Sequence, residues 1–463
     1  MPERLEDTVN ILVPTGALGA GIRPEHVEAG IAAGAHGIAC DAGSTDSGPA
    51  YLATGKSKYS RDAIKADLKT IILAGRKAGI PVIVGSCSTS GCDMSLDWTR
   101  DIVLEIAREH GLSPRIALLY SEQSPELMAT RAAEGRITPL APLNDTPIAL
   151  FAECDHIVAL MGPEPYISAL DAGADIVLGG RTTDTAVLAA LPLLRGAGMA
   201  ASWHAGKIAE CGGLCTTHAR EGGVMIRVGK EAFEVEPLGT LSRCTPSTVS
   251  AHMLYENSDP LLLTEPGGVL DVADARYEAV DDRVVRVSGS RFYRKPYTMK
   301  LEGAGRSGFQ TLMLIGIQDR QVCAEIEFFI QRMHSALVDR VTTTMALPTD
   351  QFDISLRPYG WNATTGLPVD DGGPPPREIG LLFVATAGTQ DLATQIAKTC
   401  NPWFFHMPVH PEVELPSYAF PFSPSEIERG PVFQFKLNHV IHVANGFELV
   451  RTAYVDLKEL TNV

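Results

Sequence analysis

The chain has 463 residues, 45% of them hydrophobic and 20% charged, which excludes a disordered protein and allows more than one buried core. At about 150 residues per domain, two or three domains are expected. Its 55 acidic and 39 basic residues leave a net charge of -16 with no offsetting basic stretch, so nucleic acid is not an expected partner.

No apolar run approaches the roughly 18 residues of a membrane span, and the N-terminus MPERLEDTVN has no apolar signal core. A cytoplasmic location without membrane contact is therefore expected. The nine cysteines are odd in number and lack close-set pairs, which reads as reduced thiols.

Through the first half, short β-branched runs alternate with longer helical patterns. This is the signature of βα units, and it predicts an α/β fold whose sheet is mainly parallel with flanking helices. Strands are predicted over residues 11–14, 37–40, 81–85, 115–120, 156–161 and 176–179, with helices over 25–33, 62–78 and 95–110.

From about residue 221 the pattern becomes β-rich with polar turns (VMIRVGKEAFEVEPL, RYEAVDDRVVRVSG, TLMLIGIQD), which suggests an α+β second domain. A helix over 324–343 precedes DDGGPPPRE at 370–378, a run that holds neither helix nor central strand. A strand over 379–385, a helix over 390–400 and a strand over 432–443 follow. The expected domains are an α/β domain over 1–220, a β-rich domain over 221–370 and a C-terminal α+β segment over 371–463.

Three polar loops follow predicted strands, where open α/β sheets place ligands. DAGSTDSGP crowds Asp41, Ser44, Thr45 and Asp46 into a tight loop, although the same residues make ordinary turns. GSCSTSGCD offers Ser86, Ser88 and Ser90 with backbone amides to an anion, or merely caps the next helix. In GGRTTDTA, Arg181 is suited to grip a carboxylate bidentately, with Asp184 as orienter or base; the alternative is an internal Arg–Asp pair.

The segment from Glu265 to Glu302 adds Asp271, Tyr277, Tyr297, Arg291 and Lys300, suited to anion binding and proton transfer or to cross-strand pairing on a wet sheet face. AECGGLC places Cys211 and Cys215 beside Glu210, and His204, His218 and His252 are near in sequence only. Buried, inert thiols are the expected outcome, dispensable for catalysis. No motif for NAD, ATP, zinc-protease or serine-esterase chemistry is present.

Taken together, DAGSTDSGPAYLATGKS, GSCSTSGCD, GGRTTDTAVLAALPLLRG, KIAECGGLC, EPGGVLDVADARYEAVDDRVVRVSGSRF, YTMKLEGA and AFPFSPSEIERGPVFQF resemble the acyclic terpene utilisation (AtuA-like) family, from about Ile11 to His442. The resemblance implies a cytoplasmic bacterial catabolic protein encoded beside a small companion that could be a second subunit, and an oligomer or complex is expected.

The residues themselves suit a lyase of hydratase or dehydratase type acting on a small di- or tricarboxylic acid or its thioester. Arg181 and the GSCSTSGCD loop would anchor the substrate carboxylate, with Asp41, Ser44, Thr45, Ser86, Ser88 and Arg291 assisting. Asp46, Asp184 or Glu122 would be the base, and Tyr277 or Lys300 the acid. An acyl-CoA C–C lyase or carboxylation partner, and a non-catalytic scaffold for the companion, are the alternatives. Asp41, Asp46, Asp93, Glu122 and Asp184 could also converge on a hard cation such as Mg²⁺.

Overall fold

The computed structural model describes residues 4–367, 369 and 373–457; residues 370–372 of the DDGGPPPRE stretch lie outside them. The chain divides into two compact units, Met1–Gly305 with Phe435–Val463, and Arg306–Gln434. These boundaries differ from those expected at 220 and 370, for reasons visible in the first unit's sheet.

The strands are β1 (Val9–Val13), β2 (Gly37–Asp41), β3 (Val82–Gly85), β4 (Arg115–Tyr120), β5 (Ile137–Pro139), β6 (His156–Ala159), β7 (Ile176–Gly179), β8 (Val224–Val228) and β9 (Ala232–Pro237). Then follow β10 (Leu262–Glu265), β11 (Gly268–Asp271), β12 (Arg276–Ala279), β13 (Val285–Ser288), β14 (Arg291–Arg294) and β15 (Thr298–Ile317). The last are β16 (Phe352–Tyr359), β17 (Ile379–Ala387), β18 (Ile427–His442) and β19 (Arg451–Asp456).

In the first unit a ten-stranded sheet runs β12-β13-β9-β8-β1-β2-β3-β7-β4-β19. Its centre, β1-β2-β3-β7-β4, is parallel, as the βα reading predicts. These strands are buried on both faces, which is why they read as continuous apolar runs. Alternate residues serve opposite cores: Ile11, Ala39, Ile83 and Val177 pack on one side, Leu12, Ile38, Val82 and Leu178 on the other. The second core receives the helix Arg61–Ala78 through Ile64, Leu68, Ile71, Ile72 and Gly75, the stripe of an amphipathic helix.

Two expectations change. The β-rich text after 221 does not make a domain of its own, because β8 pairs antiparallel with β1 and carries β9, β13 and β12 onto the same sheet. The fifth of the six expected strands, β6, lies outside that sheet and pairs antiparallel with β15, Leu301 opposite Ala159. Beside β4 the sheet ends in β19, from the far end of the chain.

In the second unit, the latter part of β15 and β16 flank β17, all antiparallel. Helices Ile326–Met345 and Gln390–Cys400 cover this sheet through Phe329, Met333, Ile396 and Ala397. Among the described residues, no helix is long and apolar enough to cross a membrane.

The loop after β1 is anchored by one buried carboxylate. Asp67, on the helix Arg61–Ala78, accepts the amides of Gly19 at 2.8 Å, Gly21 at 3.1 Å and Ile22 at 2.8 Å. Asp67→Ala leaves these donors unpaired and should cost about 2–3 kcal/mol. The expected result is a lower urea midpoint with unchanged slope and a smaller loss for Asp67→Asn; an unaltered midpoint would refute the anchoring role.

Candidate functional site

Beyond the carboxyl ends of β2 and β7 lies a cavity of about 550 Å³, entirely within the first unit. The loop after β2 contributes Ser44 and Asp46, and the loop after β7 contributes Arg181, Thr183 and Asp184. Lys207 and Glu210 arrive at the end of the helix Met199–Ala209, Glu265 from β10, and Lys300 and Glu302 from β15.

Close backbone approach builds these loops. Gly43, at φ +144°, lies so near Thr89 that a Cβ would fall 2.6 Å from the Thr89 Cα. At Gly91, φ +64°, a Cβ would fall 2.3 Å from the Arg181 amide nitrogen. Between them Ser86, Ser88 and Thr89 also adopt positive φ, at 45°, 57° and 77°. Such strain persists only where neighbours over-determine the backbone; here Ser86 and Cys87 donate to the Gly180 and Gly179 carbonyls, and Thr89 to that of Ala42.

Arg181 ties the loops together. Its side chain is 6% exposed, and Nε donates to Glu302 at 3.1 Å. One terminal nitrogen donates to Ser86 at 3.1 Å and Asp184 at 3.4 Å, and the other to Thr45 at 3.3 Å. Thr45 in turn donates to Glu302 at 2.9 Å. The guanidinium is thus spent on protein partners, with Glu302 nearer than the Asp184 singled out from sequence. Lys300, 42% exposed and 2.8 Å from Glu302, is the more accessible cation.

The carboxyl groups divide by environment. Burial works against Glu302, but Arg181 and then Lys300 hold it down at about 2, so it is ionised. Burial raises Glu265 to about 7 against opposing pulls from Thr185 and Lys207. Burial likewise raises Glu210 to about 8, with Lys207 opposing. Asp184 is raised by burial and held back by Arg181, while Asp41 is raised well above its usual range by burial and by Asp184.

Of the residues read from sequence, Ser44, Asp46, Arg181, Asp184 and Lys300 line the cavity. Thr45, Ser86 and Asp41 are buried behind it, the first two through their bonds to Arg181. Four lie elsewhere. Glu122 pairs with His156 at 2.5 Å and accepts the Asp93 amide at 2.7 Å. Tyr277, in edge strand β12, shares a hydrogen bond with His204 and is pushed to about 12 by burial. Arg291 is 58% exposed and pairs with Asp274 at 2.9 Å. Ser88 is buried, as is Ser90, which bonds Ser95, so this loop does not turn a row of hydroxyls toward an anion.

Lys207 was not singled out, and its only sequence signal is the i,i+3 pairing with Glu210 on a helix. Nor do the five aspartates and glutamates proposed for a hard cation gather. Among the described residues, the two groups with metal-compatible spacing are Cys92–Glu122–His156 and Glu210–Cys211–His252. All nine cysteines are free thiols, eight of them buried. His252, 5% exposed, is held down to about 4 by burial and then by the charge of Lys207.

No curated protein and no solved structure matches the chain. The family model "Acyclic terpene utilisation family protein AtuA" matches residues 45–413, a span that takes in Asp46, Arg181, Asp184, Lys207, Glu210, Glu265, Lys300 and Glu302. The chain therefore belongs to the acyclic terpene utilisation family AtuA.

Proposed function

We propose that the protein is a catabolic enzyme of lyase type that adds or removes water at a small carboxylated metabolite in this cavity. The observation that carries the reading is Glu265, a buried carboxyl poised at about 7 and lining the same cavity as the half-exposed Lys300 and the exposed Asp46. A proton-transfer group works best when its affinity matches the working pH, and burial supplies that match here.

In the dehydration direction Lys300 meets the substrate carboxylate, and Asp46, oriented by Ser44 at 2.6 Å, takes the α-proton. The C–H electron pair becomes the new double bond as the C–O bond breaks, and Glu265 donates the proton with which hydroxide leaves as water. Arg181 and Glu302 act as positioning residues that hold the loops carrying these groups.

Glu265→Gln should lower turnover by about 10²–10⁴-fold without unfolding the chain. The parent enzyme should lose dehydration rate as pH rises through about 7, because the acid must be protonated. Linkage adds a second readout. The folded state binds this proton more tightly than the unfolded chain, so Glu265 favours folding below the ordinary carboxylate range and loses that contribution as pH rises to about 7. Glu265→Gln should flatten that part of the stability profile. Full turnover in Glu265→Gln on a panel of hydroxy di- and tricarboxylic acids, followed by deuterium incorporation and water loss, would overturn the assignment.

Lys300 and Arg181 should separate by readout. Lys300→Ala removes a charge-assisted substrate contact worth roughly 1.5–3 kcal/mol and should raise KM about ten- to a hundredfold with little change in Tm. Arg181→Ala breaks a buried pair and should cost about 3–5 kcal/mol of stability. A stable Arg181→Ala protein with a raised KM would instead make Arg181 the anchor.

A further inference from the structure

Glu210, Cys211 and His252 offer one ligand atom each, all within 4.8 Å of one another. Glu210 lines the cavity, Cys211 follows it at the end of the helix Met199–Ala209, and His252 comes from the turn after the helix Pro246–Ala251. The three are separated by up to 42 positions, so only folding brings the imidazole to the Glu-Cys pair.

A second observation marks the group as a ligand set. The His252 Nε2 is buried with no hydrogen-bond partner, although the residue is 5% exposed. A buried polar atom left unpaired is costly unless something else satisfies it. A divalent cation would satisfy this nitrogen: with a carboxylate, a thiolate and a neutral imidazole, the buried group sums to zero charge.

We propose that Glu210, Cys211 and His252 form a site for one divalent transition-metal ion of the Zn²⁺ class, with its fourth position open to the cavity. Mixed sulfur, nitrogen and oxygen donors select such an ion over Mg²⁺ or Ca²⁺, which take oxygen ligands. Three protein ligands with one position free is the arrangement of catalytic rather than structural zinc. Lys207, hydrogen-bonded to Glu210 in the structure, also has Asp184 as an acidic neighbour.

The other metal-compatible group has no such orphan. There Glu122 and His156 pair with each other, Glu122 also accepts the Asp93 amide, and Cys92 lies within hydrogen-bonding distance of Ser90 and Ser95.

The test is direct metal binding to the full-length chain after chelator treatment, using Zn²⁺ and Co²⁺ as probes. One equivalent of Zn²⁺ should bind without competition from excess Mg²⁺, and Co²⁺ should show a thiolate-to-metal charge-transfer band with the visible spectrum of a four-coordinate ion. Cys211→Ser should abolish the charge-transfer band. His252→Ala and Glu210→Gln should each weaken Zn²⁺ binding by more than about tenfold, since even outer-shell changes cost that much.

Glu122→Gln should bind as the parent does; loss of the ion in that variant would move the site to the other group and overturn the proposal. So would a folded parent chain that binds no stoichiometric Zn²⁺, or Co²⁺ bound without the charge-transfer band. The parent titration requires no variant to fold, and no arm reads turnover. Failure here therefore leaves the lyase reading standing, and failure of the lyase reading leaves this one intact.

Discussion

The buried guanidinium of Arg181 is the interaction on which the candidate site depends. An isolated charge at that depth would be prohibitive, and it is tolerated because Glu302, Thr45, Ser86 and Asp184 surround it. Each partner comes from a different segment: the loops after β2 and β3, strand β15, and the start of the helix Asp184–Leu194. One charge thereby fixes the relative placement of chain segments more than 250 residues apart in sequence. The planar fork explains why arginine rather than lysine holds this position, since a single ammonium cannot point donors at Glu302, Ser86 and Thr45 in fixed directions.

Charge balance is the second constraint. Asp46, Asp184, Glu210, Glu256, Glu265 and Glu302 line the cavity against Arg181, Lys207 and Lys300. So many carboxylates cannot all ionise in a confined space, and the molecule answers by sorting them. Glu302 keeps its charge because two cations flank it, whereas Glu265 and Glu210 retain protons toward neutral pH because burial outweighs their cationic neighbours. The separation of affinities is what acid–base chemistry requires, and the surplus of anionic groups is what a bound cation would balance. The proposed reaction and the proposed metal site thus grow from the same excess of acidic groups.

Much of the first unit was legible along the chain because its signals are local. The strand residues 115–120 and 176–179 and, in the second unit, the helix 390–400 coincide with observed elements, since apolar periodicity and flanking turn residues act over a few positions. The loops at 41–49, 85–93 and 179–186 were recognisable by their glycines and short polar residues, and two of them do border the cavity. Yet Arg181, conspicuous between glycines, proved to be turned toward Glu302, because nothing in GGRTTDTA reveals what a strand a hundred residues later brings against it.

Sequence by itself determined the βα core, the polar loops at strand ends, and the resemblance to the family. Those properties reside in short windows where residue type and spacing govern backbone and burial. Tertiary structure decided that β8, β9, β12 and β13 extend the first sheet, that β19 closes its edge beside β4, and that β6 pairs with β15 instead. It also carried Glu122, Tyr277 and Arg291 away from the cavity, and brought Lys207 into it and His252 beside Glu210 and Cys211. Pairing between distant strands and contact between distant side chains follow from how whole surfaces fit together, and no local pattern encodes that fit.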